Sequence, residues 1–495
     1  MRMLRRLPET LDEAWALLAA QAEKIATLEA ENKVLRTELA ALRAEVDRLK
    51  AQVQELTARL GQNSSNSSKP PSSDPPHHPP RPARPPSGRA PGGQPGHRGH
   101  GRMLLPHDQV NRVVELRPVA CAQCGALLLG EDLHPERHQV TDLPVVRPEV
   151  VEYQRHTLKC MACGALTEGE WPATMPPGAF GPRARATVGY LTGRLGLSQR
   201  ESVEALETLY HTPVSLGSLP AQELAVSAAL AQPVAEAHQA AQEQSVQNVD
   251  ETGWREGTRR CWLWVCATGA VTMFLVLATR GARGAKQLLG ETPSGIVGSD
   301  RWSGYNWLDP TRRQICWAHL KRDFQALVDR GGESARLGRA LLEQTHRLFS
   351  LWHEAQTGAL SRAELPAAME PVRRAVGSLL REGAGLRHST TRRTCRNLLQ
   401  LEEALWTFVQ AEGVEPTNNA AERPLRRAVL WRRRSFGTQS PAGSRFVERV
   451  LTAVTTLRQQ RRDVLDYLTA ACAAAISGEK PPSLLPTPPT PAAPM

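Results

Sequence analysis

A seven-residue repeat near the amino terminus constrains the fold of this chain more than any other feature. Between residues 18 and 60 the repeat defines two heptad positions, a and d. Position a is occupied by Ile25, Asn32, Leu39, Val46, Val53 and Leu60, and position d by Leu28, Leu35, Leu42, Leu49 and Leu56. The four flanking g-to-e′ pairs are opposite in charge: Lys24/Glu29, Glu31/Arg36, Glu38/Arg43 and Glu45/Lys50. Leucine at d with a single Asn at a favours a parallel two-stranded coiled coil. We predict a homodimer through this zipper; the alternative is an amphipathic helix that packs on its own chain.

The segment that follows the repeat is rich in proline. Residues 61–102 contain 11 of the 38 prolines, together with Ser and Gly. Such a composition buries too little apolar surface to offset the entropy lost on ordering, so we predict a disordered linker. The Pro-rich tail at 479–495 has the same character and is also predicted to be disordered.

The charge of the chain is positive and unevenly distributed. There are 61 Lys and Arg against 50 Asp and Glu, a net charge of +11. Residues 416–462 contain 11 Arg and, as acids, only Glu422 and Glu448. This excess favours a polyanionic partner, with nucleic acid as the leading candidate. The longest apolar stretch, 261–278, is broken by Thr268-Gly269 and the opening residues lack a signal-peptide core. We therefore expect a cytoplasmic protein with no membrane partner.

Two Cys-x-x-Cys knuckles, each followed by Gly, predict a metal site. Cys121 and Cys124 form the first pair, and Cys160 and Cys163 form the second after a gap of 35 residues. Four thiolates suit tetrahedral structural Zn²⁺. We predict a small zinc-binding β module over residues 103–175 that is strand-rich between the knuckles, with alternation beginning at residue 150. Its role is either purely architectural or includes contact with the partner.

Residues 180–240 have a helical pattern. Helices are predicted over 183–195 and 198–209 and from Ser215 onward, with Ser198 and Ser215 as N-caps. A helix-turn-helix that places the helix after Ser215 in a major groove is one interpretation. A plain helical connector is equally compatible with the pattern, and Pro220 is tolerated only in a first turn.

Three acidic residues follow, each at the end or start of a predicted element. An apolar strand leads to Asp250, strands at 261–266 and 271–277 come next, and a further strand at 295–299 leads to Asp300. Beyond a helical insertion at 330–415, Asn418 is predicted to cap a helix that carries Glu422 in its first turn. This order is that of an α/β ribonuclease-H-like domain, predicted for 245–440, with a C-terminal helical region at 441–478.

Six separated motifs resemble the insertion sequence 66 family of bacterial DDE transposases. They lie in that family's order at residues 63–74, 92–97, the two Cys knuckles, 250–252, 316–319 and 418–423. One departure is visible, because the family often has Asp-Gly-Tyr where this chain has Asp300-Arg301-Trp302. The resemblance implies a multidomain DNA transposase that binds terminal inverted repeats, cleaves DNA strands and joins them to target DNA. It also implies small companion proteins encoded by the same element.

The resemblance implies that Asp250, Asp300 and Glu422 are the catalytic triad. Three carboxylates can hold two Mg²⁺ (or Mn²⁺) ions, because Mg²⁺ keeps water and phosphate oxygens among its ligands. Four basic side chains are predicted to contact the DNA backbone: Lys321, Arg423, Arg426 and Arg427. His319 and Lys321 are expected either to orient water or phosphate, or to be a capping His and a solvated Lys.

Two other functions remain open from the sequence. One is a DNA-binding zipper and zinc protein that regulates without cutting DNA, although all three acids persist in their motifs. The other is a hydrolytic nuclease that cleaves but does not transfer strands. Covalent attachment of labelled ends to a target plasmid would distinguish a transposase from both.

Overall fold

The computed structural model describes residues 10–60, 102–132 and 134–486. The predicted linker at 61–102, apart from Arg102, and the tail from residue 487 onward lie outside these residues. Nowhere in the described ranges is there a helix long and apolar enough to span a membrane.

The heptad segment forms one continuous helix, α1 (Leu11–Leu60). It belongs to a different compact unit from the sheet described below. Its a and d side chains up to Val53 stay largely open to solvent: Ile25 is 56% exposed and Leu35 is 61% exposed. The helix therefore presents an apolar stripe that its own residues leave uncovered.

The region of the two cysteine knuckles is mostly irregular. Its two strands, β1 (Thr157–Lys159) and β2 (Leu166–Glu168), pair antiparallel around the second knuckle. The predicted strand-rich segment is wrong, because residues 134–156 contain no strand. Val145 and Val150 are 72% and 85% exposed. Alternation does not hold a strand in place when no second layer buries its apolar face.

Helices fill residues 182–242: α2 (Pro182–Gly189), α3 (Gln199–Tyr210), α4 (Leu219–Ala229) and α5 (Ala231–Gln242). The predicted Ser198 cap is confirmed, since Ser198 and Glu201 form a reciprocal capping box. The predicted helix 183–195 changes to a π-helical turn at Tyr190–Leu195. Ser215 makes no side-chain cap and precedes a short 3-10 turn, so its predicted role is wrong.

The composition and burial of α4 favour a helical connector over a DNA-recognition helix. It carries no Lys or Arg, and Pro220 lies in its first turn. Its side chains Leu219 and Val226 are fully buried. A recognition helix needs a polar face for base edges, and the exposed positions of α4 are Pro, Ala and Leu. The helix-turn-helix interpretation is therefore not supported.

A five-stranded sheet forms the centre of the second unit. Its strands are β3 (Val246–Glu256), β4 (Arg259–Ala267), β5 (Thr272–Leu277), β6 (Ile296–Ser299) and β7 (Arg313–Ile315), and α6 (Ala282–Leu289) connects β5 to β6. The spatial order is β5-β4-β3-β6-β7. The first three strands are antiparallel, whereas β6 and β7 run parallel to β3. The strands predicted at 261–266 and 271–277 are thus confirmed.

The described residues after β7 are mostly helical. They form α7 (Trp317–Asp329), α8 (Gly332–Thr357), α9 (Leu365–Gly385), α10 (Ser389–Gln400), α11 (Thr407–Gln410), α12 (Asn419–Ser435), α13 (Pro441–Gln459) and α14 (Val464–Ser477). Both faces of the sheet are covered. Val249 and Trp264 pack in a cluster with α5, α13 and α14, while Trp254 and Leu263 pack against α12.

The edge strand β5 is closed by side chains of α13. The backbone N–H groups of Phe274 and Thr272 donate to the hydroxyls of Thr452 and Thr456, at 3.1 and 3.0 Å. Val276 N–H donates to the carboxylate of Glu448 at 2.6 Å. These acceptors recur every four residues along one helix face, so α13 blocks further strand pairing at this edge.

The beginning of the predicted disordered tail is ordered. Leu484 is fully buried in the core cluster beside α14. Gln460 and Arg462 donate to the carbonyls of Leu484 and Ser483 at 2.8 and 3.1 Å. The prediction for 479–495 is therefore wrong up to residue 486, because two leucines within the Pro-rich run supply apolar surface that the core can bury.

Candidate active site

Two of the predicted acids lie at the same edge of the sheet. Strand β3 pairs in parallel with β6 through Asn248↔Gly298, so Asp250 lies just beyond the paired segment. Asp300 follows directly after β6. Gly298 is required here, because a Cβ atom at this position would lie 2.5 Å from Oδ1 of Asn248. The prediction that a strand ends at Asp250 is wrong, because β3 continues to Glu256 in pairing with β4, whereas Asp300 does follow the end of its strand.

Asn418 fixes the start of α12, and with it Glu422, over this edge. Its Nδ2 donates to the carbonyl of Val249 at 2.7 Å, and its backbone N–H donates to Sγ of Cys316 at 3.2 Å. The predicted N-cap role is only half right. Asn418 occupies the N-cap position, but its side chain makes no capping bond because it binds the strand. Glu422 lies one turn further along the helix, and its N–H donates to the Asn418 carbonyl at 3.2 Å.

The pKa of Asp250 is affected by burial and by the charges of neighbouring acids. Burial raises the pKa of Asp250 well above its ordinary value, and the negative charges of Glu251, Asp300 and Glu422 raise it further. Like charges held at partly desolvated positions make a site that a divalent cation would stabilise. The donors are carboxylate oxygens, the ligand type that Mg²⁺ and Mn²⁺ prefer. In the described part of the chain the oxygens of the three acids do not form a group within 4.8 Å of one another, so the fit to an ion rests on the donor type and on the charges near Asp250.

The neighbouring Glu251 has a different role from Asp250. Strand alternation turns it to the opposite face, where its Oε1 accepts from Nε of Arg280 at 2.8 Å. Its Oε2 accepts from the hydroxyl of Tyr305 at 2.5 Å. The Arg280 guanidinium in turn lies 4.1 Å from the ring centroid of Trp302. Glu251 thereby links β3 to the segment after Asp300, which includes the Trp at which this chain departs from the family pattern.

Arg313 binds the backbone of the segment that carries Asp300. It is fully buried, and its guanidinium donates to the carbonyl of Asp300 at 2.8 Å and to Oγ of Ser299 at 3.1 Å. Burial lowers the pKa of Arg313 to about 10, so the side chain stays charged near neutral pH. The backbone that carries Asp300 is therefore held by a cation placed behind it.

His319 lies beside Glu422. Its Nδ1 is 3.4 Å from Oε1 of the glutamate, and both side chains are partly exposed. Together with Cys316 they are the one group of three His, Cys, Asp or Glu ligand atoms within 4.8 Å of one another in the described part of the chain. Burial raises the pKa of Cys316 to about 11, so its sulfur is a neutral thiol, a weaker ligand than thiolate. His319 and Glu422 thus lie close to each other, with Cys316 as their neighbour.

The four predicted DNA-contacting residues occupy different surroundings. Lys321, Arg423 and Arg426 are exposed, whereas Arg427 is half-buried. Arg426 follows Glu422 by one helical turn and so lies on the same face of α12. Arg427 instead interacts with Arg194 and Arg458. The sequence suggested Arg423 and Arg426 as the neighbours of Arg427. Its neighbours in the structure include Arg194 and Arg458, which are distant from it in the chain.

Each predicted zinc knuckle forms the same tight turn. The N–H of Gly125 donates to the Cys121 carbonyl at 2.9 Å, and that of Gly164 donates to the Cys160 carbonyl at 2.8 Å. Both glycines have positive φ, 73° and 75°, as expected for the residue after each knuckle.

The thiols are paired within each knuckle but not between knuckles. Backbone N–H groups of Gln123 and Cys124 lower the pKa of Cys121, and those of Cys163 and Ala162 lower the pKa of Cys160. Such donors favour the thiolate that binds metal. Among the described residues, the two pairs do not share a cluster of ligand atoms.

Sequence reasoning missed several residues that shape this site. The alternation of β3 could have indicated that Glu251 points away from Asp250. No sequence signal identified Arg280, Arg313 or Tyr305 as its neighbours, because they are brought together only by the parallel pairing of β6 and β7. The contact of Asn418 with β3 could not be predicted, because Asn before a helix more commonly caps that helix.

The part of the chain that contains the five-stranded sheet and α12 is matched by a known family model. The model described as Transposase IS66 family covers residues 178–445, more than half of the chain. The chain belongs to the IS66 transposase family. A second model, for a family of unknown function (DUF6444), matches residues 19–103, the zipper and linker.

Two curated relatives come from Sinorhizobium fredii. The uncharacterised protein y4hP is 27% identical over 395 residues, which cover 70% of this chain and 69% of y4hP. The uncharacterised protein y4qI is 29% identical over 238 residues, which cover 43% of each chain.

Proposed function

We propose that this transposase binds the terminal inverted repeats of its element and catalyses metal-dependent DNA cleavage and strand transfer at a site formed by Asp250, Asp300 and Glu422. The observation that supports the proposal is that Asp250 in β3, Asp300 after β6 and Glu422 in α12 lie near enough for the charges of Asp300 and Glu422 to raise the pKa of Asp250. In an Arg-rich surrounding, such a cluster suits a phosphodiester substrate with bound cations.

The fold supports the same class of enzyme. Three antiparallel strands followed by two parallel ones, in the order β5-β4-β3-β6-β7, match a ribonuclease-H-like sheet. In this arrangement Asp250 lies within β3, just beyond the residues that pair with β6, and Asp300 follows the carboxyl end of β6. The helices between β7 and α12 form the insertion that separates Glu422 from the other two acids in sequence.

The three carboxylates would hold Mg²⁺ or Mn²⁺. When bound, two such ions stabilise the attacking and leaving oxygens of an in-line displacement at phosphorus. The protein's part is to fix the ligands: Asn418 sets the helix of Glu422, Arg313 the backbone of Asp300, and His319 the orientation of the Glu422 carboxylate. The exposed guanidiniums of Arg423 and Arg426, with Lys321, would contact DNA phosphates beside the acids.

The amino-terminal regions would assemble the protein on DNA. The exposed stripe of α1 is proposed to pair with that of a second copy as a parallel zipper. The four knuckle cysteines are proposed to bind one structural Zn²⁺, for which the lowered thiol pKa values are suited. Companion proteins of the same element remain a proposal that rests on the family.

The decisive test is the isosteric variant Glu422→Gln. With Mg²⁺ and duplexes that carry the element ends, the wild type should nick the ends and join them to a plasmid. Glu422→Gln should lose both products by at least about a thousandfold, a loss of about 4 kcal/mol in transition-state stabilisation, while its DNA affinity stays near that of the wild type. Glu412→Gln, an exposed acid in the preceding loop, is the matched control and should be fully active.

Two outcomes would contradict the proposal. Equal activity of Glu422→Gln would remove this residue from the site. Cleavage by the wild type without any covalently joined product would instead identify a hydrolytic nuclease.

A further inference from the structure

Three arginines from three separate elements converge on a second surface. Arg194 lies in the π-helical turn after α2, Arg427 lies in the middle of α12 and Arg458 lies near the end of α13. Within the described part of the chain, none of these guanidiniums has a hydrogen-bond or ion-pair partner. Two of them are half-buried and Arg458 is exposed. Like charges are thus gathered, and the cavity that Arg194 and Arg458 line contains one acid, Asp463, beside a further cation, Arg462.

The surroundings form a concave site rather than a flat basic patch. A surface cavity of about 360 Å³ is lined by Arg194 and Arg458, together with Tyr190 and residues 462–465. The other charged groups of this wall are already engaged. Arg462 donates to the Ser483 carbonyl at 3.1 Å, and Asp463 caps α14 by accepting from the N–H of Asp466 at 2.8 Å. The unsatisfied charge of the cavity therefore comes from Arg194 and Arg458.

Electrostatics support an anionic occupant. Burial and then repulsion from Arg458 lower the pKa of Arg194. Burial, followed by repulsion from Arg194 and Arg458, lowers the pKa of Arg427. Holding three unpaired guanidiniums together costs free energy that a bound anion would recover, and phosphate oxygens match the planar donors of Arg best.

We propose that Arg194, Arg427 and Arg458 form a phosphate-binding site that grips the DNA backbone away from the catalytic carboxylates. Arg427 follows Glu422 by five residues on α12, which is a rise of about 7.5 Å and a rotation of about 140° around the helix. The site therefore lies around α12 from the acids. It holds DNA without contacting the reacting phosphate. This inference rests on the proposed DNA substrate, but it concerns affinity and not chemistry.

The test is the salt dependence of binding to a duplex that lacks the element ends, measured by fluorescence anisotropy without added Mg²⁺. For the double variant Arg194→Gln/Arg458→Gln, the slope of log K against log salt should fall by about 0.9 for each phosphate that the protein no longer neutralises, about 1 to 2 in all. The charge-retaining Arg194→Lys/Arg458→Lys should keep most of the slope. The control Arg347→Gln/Arg374→Gln removes the same charge from exposed arginines paired with Glu343 and Glu370 and should leave the slope unchanged.

Two further measurements test the binding of free phosphate and the rate of the catalysed reaction. Titration with inorganic phosphate should show weaker binding by the Gln variant than by the wild type, whereas turnover at saturating element-end DNA should be equal in the two proteins. An unchanged salt slope in the Gln variant would overturn the proposal, as would equal binding of inorganic phosphate by the wild type and the Gln variant. Because this assay needs no cleavage, a catalytically inactive chain would leave its result intact, so the two proposals fail separately.

Discussion

Asn418 makes the contact on which the geometry of the candidate site depends most. Its side-chain amide joins β3, through the Val249 carbonyl, to the start of α12, while its backbone N–H donates to Cys316 after β7. The side chain is 1% exposed, and its Oδ1 has no hydrogen-bond partner among the described residues. A buried amide used in this way sets the distance between the strand of Asp250 and the helix of Glu422.

Replacement of Asn418 by Ala should therefore affect both stability and activity. Removal of the bond leaves the Val249 carbonyl unpaired, which should lower the free energy of unfolding by about 1–3 kcal/mol in urea denaturation. The Mg²⁺ concentration for half-maximal cleavage should also rise, because Glu422 is no longer fixed above Asp250. A residue that only stabilised the fold would not change that concentration.

The adjacent Asn419 provides a matched control. It is exposed at the first position of α12, so Asn419→Ala should behave as the wild type in both measurements. If Asn418→Ala kept the wild-type Mg²⁺ dependence, the positioning role would be wrong even if its stability fell.

Among the strands and helices, the sequence predicted best those segments whose residues alternate between two buried faces. Strands β4 and β5 could be located from apolar alternation and the turn between them, and Asp300 from the short strand before it, whereas Asp250 lies within β3 and not at its end. The segment after residue 150 also alternates, yet it forms no strand because nothing covers Val150. Local pattern therefore predicted structure only where a second layer existed.

The same limit applies to the site. Asp250, Asp300 and Glu422 could be named from their motifs, but Arg194 and Arg458 could not. These two lie in a π-helical turn and at a helix end, and only the packing of the turn against α13 brings them together. A Val450 side chain fits there because Gly193 has no Cβ, which would lie 2.3 Å from it. Convergence of this kind depends on tertiary packing that no local spacing encodes.

For the α1 helix, the prediction concerns strand number. Asn32 is the single polar residue at an a position, and a buried pair of amides specifies a two-stranded coil at a cost in stability. In the full-length protein, Asn32→Val should give a more stable coil with mixed oligomers, measured by sedimentation equilibrium. Thr37→Val, at an outward f position of the same helix, is the control and should remain dimeric. Unchanged dimers in Asn32→Val would deprive Asn32 of this role.

At the scale of the whole molecule, the distribution of basic residues and the proposed dimer are both consistent with binding to DNA. The basic excess is concentrated in α12 and α13, the helices that carry the acid Glu422 and the two phosphate-contacting surfaces proposed here. A parallel zipper would bring two copies of these surfaces together, as two ends of one element require. The two cysteine knuckles and the Pro-rich segment lie between α1 and the five-stranded sheet in the chain.

The proposed chemistry requires that Asp250, Asp300 and Glu422 form one metal site. Anomalous diffraction from crystals soaked in Mn²⁺ would locate the ions and their ligands. We expect anomalous peaks within about 2.2 Å of carboxylate oxygens of all three residues, about 3.5 to 4 Å apart if two ions bind, and their disappearance in Glu422→Gln. A peak held by Cys316 and His319 without the two aspartates, or no peak at this edge of the sheet, would contradict a single three-carboxylate site.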